Sequence, residues 1–351
     1  MGDTNPSAPS GLPRAEARGQ HHVILVTGGA GYVGSHAAKA LRQAGHEVVI
    51  YDDLSAGHRA AALGARLIEG NIADVAAVRR ALRETGATAV MHFAAWLVVP
   101  DSVKDPAGYY RNNVIGTLGT LEAMAAEGCR HFVFSSTCAV YGEPVDTPIR
   151  ETHPNIPINA YGQSKLAIEQ ALPHFERAYG IHSIRLRYFN AAGADPDGEL
   201  GEDHAPEIHV IPRTFDAALG GPALEVFGED YPTPDGTCLR DYVHVTDLAD
   251  AHVRALAWLT GGGASGSYNV GTERPSSVRQ VIAAVEQATG RKVAWRSAAR
   301  RPGDPAILYA SAERIRADLG WVPQRPDLTT IVADAWRWHE AHPHGYADRH
   351  R

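Results

Sequence analysis

The chain has 351 residues, 44% hydrophobic and 21% charged, a composition that predicts a globular protein of one large or two closely joined domains. Its formal net charge of −7 argues against nucleic acid as the main partner, because phosphate binding needs clustered Lys and Arg. Three scattered cysteines and the lack of a long apolar run argue against a disulfide framework, a zinc knuckle and a membrane partner, and favour a reducing cytoplasm.

Residues 1–20 are rich in Pro, Gly, Ser and Ala and are predicted to be a disordered leader. Strand-like and helical patterns then alternate along the chain. Strands are predicted at Val23–Thr27 and within EVVIYDD, ARLIEGN, TAVMHFAA, HFVFSS and HSIRLRYFN. Helices are predicted after the first glycine turn, where Gly45 ends the helix, and then from Asp74 to Thr85, from Asn112 to Glu127 and from near Tyr161.

Repeated strand–helix units predict an α/β fold with a doubly wound parallel sheet of the Rossmann type. We assign this dinucleotide-binding domain to residues 21–190, with a return of the chain near residues 238–255. Loop-rich sequence follows Asn190, so residues 191–346 are predicted to form a smaller α/β substrate domain. The His-rich C-terminal tail is interpreted as a solvated terminus, and no metal site is predicted.

A glycine turn between the first strand and the first helix predicts a dinucleotide site. Gly28 permits the tight turn, Gly31 lets the backbone approach a pyrophosphate, and Gly34 allows close packing of helix and strand. Asp52 and Asp53 end the next strand, where a carboxylate accepts from the hydroxyls of an adenosine ribose. Because a carboxylate there repels a 2′-phosphate, NAD is favoured over NADP.

Tyr161 and Lys165 lie four residues apart in YGQSK and therefore share one face of a helix. An ammonium and a positive nicotinamide ring both favour the phenolate, so Tyr161 is predicted to take the proton of a substrate hydroxyl. Thr137 is expected to complete this catalytic set by orienting the substrate alcohol. The pattern predicts an alcohol-oxidising site.

Eight segments together resemble the extended short-chain dehydrogenases/reductases, and within them the UDP-glucose (UDP-galactose) 4-epimerase family, from about Val23 to Tyr346. They are VTGGAGYVGSH, VMHFAA, YYRNNVIGT, FSSTCAVYG, YGQSK, RYFNAAGADPDGELGE, VFGEDYPTPDGTCLRDYVHVTDLADAHV and RRPGD. The resemblance implies an isomerase that oxidises a UDP-sugar at C4 with NAD, lets the 4-keto sugar rotate, and returns the hydride to its other face.

The same resemblance implies roles for further residues. For NAD they are Tyr32, Val33, Asn71, Ile72, Phe93, Ala94, Ala95, Asn112, Ser135 and Tyr188, besides Tyr161 and Lys165. For the UDP-sugar they are Thr137, Tyr161, Phe189, Asn190, His209, Val210, Phe227, Arg240, Tyr242, Arg301 and Asp304. Two positions depart from the family: Asn71 stands where Asp is usual, and Leu97 where a lysine commonly lies near the pyrophosphate.

Cys138 and Ala139 decide between two kinds of chemistry that the family resemblance leaves open. Related 4,6-dehydratases carry an Asp-Glu pair at these positions to eliminate water, whereas Cys and Ala supply no such proton transfer. A dehydratase is therefore disfavoured, as are a non-catalytic NAD-binding protein and a dehydrogenase that releases NADH.

Sugar preference and assembly stay open at this stage. Several segments also resemble UDP-xylose/UDP-arabinose 4-epimerases. The family resemblance implies that Leu308 borders the hexose pocket, where a bulky aromatic residue disfavours N-acetylated sugars, so the smaller leucine predicts some activity on UDP-N-acetylglucosamine. The resemblance also implies a homodimer formed through the helices that begin near Asn112 and Tyr161.

Overall fold

A computed structural model describes residues 21–301 and 304–348, so the predicted leader over residues 1–20 lies outside the described part. Seven parallel strands form the central sheet, in the order β11-β6-β5-β4-β1-β2-β3. The doubly wound Rossmann-type α/β fold predicted from the sequence is confirmed. No helix within these residues is long and apolar enough to cross a bilayer.

The strands are β1 Val23–Thr27, β2 Glu47–Asp52, β3 Arg66–Glu69, β4 Ala89–His92, β5 His131–Thr137, β6 His182–Tyr188, β7 Asn190–Ala192, β8 Leu224–Phe227, β9 Leu239–Arg240, β10 Tyr242–His244, β11 Gly266–Val270, β12 Ser276–Ser277, β13 Trp295–Ala298 and β14 Ile307–Leu308. The helices are α1 Tyr32–Gln43, α2 Val75–Thr85, α3 Val99–Lys104, α4 Pro106–Tyr109, α5 Gly116–Glu127, α6 Ala160–Tyr179, α7 Val210–Ala218, α8 Val245–Thr260, α9 Val278–Thr289, α10 Glu313–Leu319 and α11 Leu328–Ala341.

Strand β1 is buried on both faces, as its continuous aliphatic run predicts. Ile24 and Val26 pack against α1 and α8 on one side of the sheet, whereas Leu25 packs against α2 and α5 on the other. Alternate side chains of β1 therefore pack against the two helix layers on opposite faces of the sheet.

The helix predicted from Asn112 to Glu127 has a more complex start. A π-helical segment, Tyr110–Ile115, joins α4 to α5. The wider turn places the buried amide of Asn113 so that it accepts from the backbone N–H of Trp96 (2.8 Å) and donates to the Ser164 hydroxyl (3.1 Å). Ser164 lies on α6, so this segment fixes α6 beside the sheet.

After Asn190 the chain contributes to both parts of the molecule. Helix α8 packs against α1, and β11 pairs with β6 at the edge of the central sheet. A separate core forms between α7, α9, α11 and β8, with Phe215 and Val285 fully buried. Three small sheets (β10–β7, β12–β9–β14 and β13–β8) border this second core.

Candidate active site

The carboxyl ends of β1, β2, β4, β5 and β6 open into a cavity of about 400 Å³. This is the edge of a doubly wound sheet at which ligands bind. The predicted site residues that line it are Gly28, Gly31, Tyr32, Val33, Gly34, Asp52, Asp53, Ile72, Phe93, Ala94, Ala95, Asn112, Ser135, Thr137, Tyr161, Lys165, Tyr188, Phe189, Asn190 and His209.

The glycine turn between β1 and α1 is packed so tightly that side chains are excluded at two positions. Gly28 has φ +69°, and a Cβ there would lie 2.5 Å from the backbone nitrogen of Ala94. At Gly34 a Cβ would lie 2.1 Å from the carbonyl oxygen of Gly28. By contrast, a Cβ at Gly31 would meet only one atom, at 3.4 Å, so its cavity side is open. The turn therefore leaves room for a pyrophosphate at the N-terminus of α1.

Asp52 and Asp53 differ in their surroundings. Asp52 is buried, and its carboxylate accepts from the backbone N–H groups of Ala30 and Leu54, both at 2.9 Å. Burial raises its pKa above the ordinary value, although these two hydrogen bonds oppose the effect. Asp53 is exposed and accepts from the Asn71 amide at 2.7 Å. Asp52 thus fixes the glycine turn, while Asp53 presents the more accessible carboxylate.

Asn71 lies beside the cavity without being one of its lining residues. Its side-chain oxygen accepts from the backbone N–H of Ala73 at 2.8 Å, while its amide nitrogen binds Asp53. The side chain therefore organises the loop after β3. Ile72 and Leu97 line the cavity, and Leu97, which is 42% exposed, adds apolar surface without a donor for a phosphate.

Helix α6 delivers Tyr161 and Lys165 to the floor of the cavity. Its N-cap is Asn159, whose side chain accepts from the backbone N–H of Gly162 at 2.8 Å. Lys165 Nζ donates to the carbonyl oxygen of Ser135 at 2.9 Å and lies 4.9 Å from the centre of the Phe134 ring. The ammonium is thereby held at the end of β5.

Burial sets the proton affinities of this pair. It raises the pKa of Tyr161 well above the ordinary value, and the Thr137 hydroxyl opposes that effect by hydrogen bonding to the phenol. It lowers the pKa of Lys165 to about 7, an effect that the Glu169 carboxylate partly offsets. Near neutral pH the buried amine can therefore gain and lose a proton, which is what a proton relay needs.

The two residues that follow Thr137, Cys138 and Ala139, carry no acidic or basic side chain. Thr137 Oγ1 accepts from the backbone N–H of Ala139 at 3.1 Å, which fixes the turn that follows β5. Burial raises the pKa of the Cys138 thiol to about 12, even though the positive charge of Arg240 opposes the shift. Cys138 is thus a neutral thiol, and neither it nor Ala139 can carry out general acid–base chemistry at neutral pH.

Ser135 and Tyr188, on neighbouring strands, join their hydroxyl groups at 2.5 Å. Asn112 donates to the Asn113 side-chain oxygen at 3.0 Å. Phe93 packs against the His252 ring, with centroids 4.7 Å apart. Ser135, Tyr188 and Asn112 therefore each make a side-chain hydrogen bond within the protein.

The predicted substrate residues fall into two groups. The first group lines the cavity and consists of Thr137, Tyr161, Phe189, Asn190 and His209. Within it, the Asn190 amide donates to the carbonyl oxygen of Asp241 at 3.0 Å.

The second group lies outward of the cavity lining. Arg240 forms an ion pair with Asp304, and the Arg301 guanidinium stacks 3.8 Å from the centre of the Phe227 ring. Tyr242 and Val210 belong to the second core, where Tyr242 is buried and Val210 begins α7. The effect of Arg240 on the Cys138 pKa places its charge near the cavity.

Sequence reasoning missed a compact cluster of two imidazoles and two carboxylates. Glu202, His204, Glu207 and His209 offer ligand atoms that all lie within 4.8 Å of one another. Burial lowers the pKa values of both imidazoles, but the carboxylates outweigh it and raise them to about 9 for His204 and about 10 for His209. The signal was present as EDHAPEIH, in which three acidic residues and two histidines fall within eight positions.

A second missed feature supports α6. Glu169 pairs with Arg187 of β6, with Nη2 and Oε2 2.5 Å apart, and both side chains are buried. Glu169 also accepts from the Ser136 hydroxyl at 2.5 Å, and Arg187 donates to the Tyr141 hydroxyl at 2.9 Å. This network joins the helix that carries Lys165 to β5 and β6.

Comparisons with known proteins agree with this geometry. The model of the NAD dependent epimerase/dehydratase family matches residues 24–271. A UDP-glucose 4-epimerase of Azospirillum brasilense is 51% identical over 317 residues, 90% of this chain and 91% of that protein. The crystal structure of UDP-glucose 4-epimerase from Brucella ovis in complex with NAD is 47% identical, with a TM-score of 0.88 over 90% of this chain and 98% of that one. A UDP-glucose-4-epimerase from Stenotrophomonas maltophila with bound NAD and formylated UDP-arabinopyranose is 38% identical, with a TM-score of 0.89 over 92% and 99% of the two chains.

Proposed function

The chain belongs to the NAD-dependent epimerase/dehydratase family, and we propose that it interconverts UDP-glucose and UDP-galactose. It is an NAD-dependent isomerase that inverts C4 of a UDP-sugar. The observation that carries the proposal is the meeting of Thr137, Tyr161 and Lys165 with the glycine turn in one cavity, where the neighbouring Cys138 and Ala139 supply no carboxylate.

The glycine turn and Asp52 or Asp53 would hold NAD, which would supply a reversible hydride acceptor at C4. Tyr161 takes the proton of the C4 hydroxyl, assisted by the Thr137 hydroxyl, and gives it back after the 4-keto sugar has turned over. Burial raises the pKa of Tyr161, and the positive charges of Lys165 and of a bound nicotinamide ring would oppose that effect, so that Tyr161 can reach the phenolate form that accepts the proton. The neutral Cys138 thiol and Ala139 cannot remove the hydrogen at C5 or protonate the departing hydroxyl at C6, so the reaction ends at the epimer.

The outer residues are proposed to hold the nucleotide half of the substrate. Arg240 and Arg301 place two guanidinium groups beside the cavity, and paired guanidiniums suit a diphosphate. Phe227, against which Arg301 stacks, offers an aromatic face for the uracil. Asp304 is proposed to exchange part of its contact with Arg240 for a ribose hydroxyl.

A pentose substrate is the second candidate, and the Stenotrophomonas complex with formylated UDP-arabinopyranose favours it. Leu308 packs against the apolar cluster that contains Phe189, which lines the cavity, so it lies close to the sugar region. A leucine there leaves space both for C6 of a hexose and for an N-acetyl group. Pocket selectivity for one such group is worth about 1–3 kcal/mol.

Turnover of purified protein with UDP-galactose and UDP-xylose, without added NAD, tests the function. Conversion of either to its C4 epimer supports a retained NAD, and the ratio of the two kcat/KM values identifies the sugar class. Tyr161→Phe should lose about 10²-fold or more in kcat, because it removes the proton acceptor, yet retain NAD. Tyr179→Phe is the matched control, since Tyr179 is an exposed tyrosine of the same helix. Full activity in Tyr161→Phe would refute the assigned role.

Assembly as a homodimer is also proposed. Val103, Tyr110 and Ile115 are exposed apolar residues along α3, the π-helical segment and the start of α5, the side that the family uses for pairing. Light scattering should give twice the chain mass, and Ile115→Glu should reduce it to one chain. A wild-type monomer would reject the proposal. A cytoplasmic location is proposed because all three cysteines are free thiols.

A further inference from the structure

The cluster of Glu202, His204, Glu207 and His209 lies in the loop that joins β7 to α7, and His209 is the last residue before that helix. His209 Nδ1 lies 2.6 Å from Glu202 Oε1 and 3.4 Å from Glu207 Oε1. His204 Nδ1 lies 3.3 Å from Glu202 Oε1 and 3.6 Å from Glu207 Oε2. Each imidazole therefore directs the same nitrogen, Nδ1, at both carboxylates, and the four donor atoms surround one point.

Two of these atoms are buried without a hydrogen bond. Glu202 Oε1 and His209 Nδ1 are close, but neither makes a hydrogen bond of acceptable angle. The Glu202 side chain is only 9% exposed, so its carboxylate oxygen cannot be satisfied by bulk water. A buried carboxylate oxygen is costly unless a cation faces it, and here that cation is either an imidazolium of His204 or His209 or a metal ion that replaces their protons.

The loop holds Glu207 in place for this purpose. Its Oε1 accepts from the backbone N–H groups of Ile208 (2.7 Å) and His209 (2.8 Å). These bonds fix the carboxylate at the first turn of α7, so Oε2 is directed to His204. Supporting hydrogen bonds of this type orient the ligands of metal sites.

We propose that Glu202, His204, Glu207 and His209 bind one zinc ion through two imidazole nitrogens and two carboxylate oxygens. Four-coordinate sites of nitrogen and oxygen donors suit Zn²⁺, whereas Mg²⁺ and Ca²⁺ prefer oxygen donors alone. Binding replaces the protons on the two imidazoles, so it strengthens as the pH rises.

A second acidic group in the same loop serves as an internal comparison. Asp195, Asp197 and Glu199 also lie close together, but all three contact Lys39, at 2.7 to 3.0 Å. That ammonium already supplies the positive charge, and the group contains no imidazole. The zinc assignment is therefore specific to the His-containing cluster.

The position of the cluster gives the zinc a consequence for the substrate. His204 and His209 line the cavity, and the His204 ring lies edge-on to Tyr32 of the glycine turn, with centroids 6.2 Å apart. With Nδ1 on the metal, Nε2 of His209 keeps its proton and is the ring donor available to the cavity. This consequence rests on the proposed function: the donor would meet a diphosphate oxygen, and loss of zinc should raise KM for the UDP-sugar more than it lowers kcat.

Metal analysis of the untagged full chain tests the proposal. We expect one zinc per chain after extensive dialysis, most of it lost in Glu202→Gln and His204→Ala and retained in His182→Ala. His182 is the matched control because it pairs with Glu176 at the surface, 3.0 Å away. Replacement by Co²⁺ should give the intense visible absorption of a four-coordinate ion in the wild type and not in the two variants. Circular dichroism identifies a variant that fails to fold. If a variant does not fold, the Co²⁺ spectrum of the wild type alone decides whether the chain holds a four-coordinate ion.

Two results would overturn the inference. One is wild-type protein that retains no zinc and shows only the weak spectrum of aqueous Co²⁺, which would make the cluster a network of imidazolium–carboxylate pairs. The other is zinc retained undiminished in both folded variants, which would place it elsewhere, for example on the C-terminal histidines. Neither readout depends on turnover, so an active, zinc-free enzyme rejects this site alone, while a zinc-loaded chain without epimerase activity rejects the proposed function alone.

Discussion

Replacing Lys165 with methionine should stabilise the nucleotide-free protein while abolishing turnover. Burial holds the pKa of Lys165 at about 7 in the folded chain, against an ordinary 10.5. Between these values the unfolded chain binds more protons than the folded one, so wild-type stability rises with pH across this window. At about 1.4 kcal/mol per pH unit, burying the Lys165 amine, which is an ammonium at pH 6 and neutral at pH 9, costs about 5 kcal/mol at pH 6 and about 2 kcal/mol at pH 9.

Methionine removes that cost at every pH but loses two contacts, the hydrogen bond to the Ser135 carbonyl and the approach to the Phe134 ring. Those losses do not vary with pH. The advantage of Lys165→Met over wild type should therefore shrink by about 3 kcal/mol between pH 6 and pH 9, whatever its absolute size.

Urea unfolding at both pH values, followed by tryptophan fluorescence, measures this difference. The nucleotide must be removed first, because a ligand that binds only the folded state adds its own stabilisation. Lys292→Met is the control, since the Lys292 side chain is 91% exposed and should show no such pH dependence. An equal gain at pH 6 and pH 9 would mean that the Lys165 ammonium is not destabilised by burial, and the reasoning would fail.

Two other substitutions test the glycine turn and the support of α6. Gly34→Ala places a Cβ 2.1 Å from the Gly28 carbonyl oxygen, so it should cost about 1–3 kcal/mol in urea unfolding and lose bound NAD. Gly31→Ala should also lose NAD but keep its stability. Equal stability of the two variants would contradict the packing argument. Glu169→Gln leaves the buried Arg187 without its carboxylate partner and should cost about 3–5 kcal/mol in the same assay. Glu176→Gln on the same helix serves as the control. A loss of stability as small as that of the control would show that Arg187 finds another partner.

Features that depend on local sequence could be predicted well. The glycine turn, the strand before it and the shared face of Tyr161 and Lys165 follow from residue types and spacing within a few turns of chain. The parallel, doubly wound arrangement of the central sheet follows from the alternation of strands and helices, whereas the order of its strands comes from the structure. The addition of β11 at the edge of that sheet could not be predicted, because its partner β6 lies almost eighty residues earlier in the chain.

Features that depend on distant contacts could not be predicted. By sequence, both Asp52 and Asp53 could accept from a ribose hydroxyl. Only the structure shows that Asp52 is buried against the glycine turn, where it accepts from the backbone N–H of Ala30. The π-helical turn before α5 lets the Asn113 amide form hydrogen bonds with Trp96 and Ser164. Helix propensities do not encode such contacts between distant residues. The cluster around His209 was readable as a spacing, but spacing alone cannot show that the four side chains converge.

The distribution of charge along α6 explains why Lys165 is chemically active while Glu169 is not. The two residues lie one turn apart, and both are buried. Glu169 is matched by a guanidinium and a hydroxyl, so its charge is fully compensated. Among the described residues no carboxylate lies within ion-pair distance of Lys165, whose hydrogen-bond acceptor is a neutral carbonyl. Pairing Lys165 directly with an acid would stabilise the fold but fix its proton. Placing the compensated carboxylate one turn away holds the helix firmly and leaves the ammonium free to respond to Tyr161.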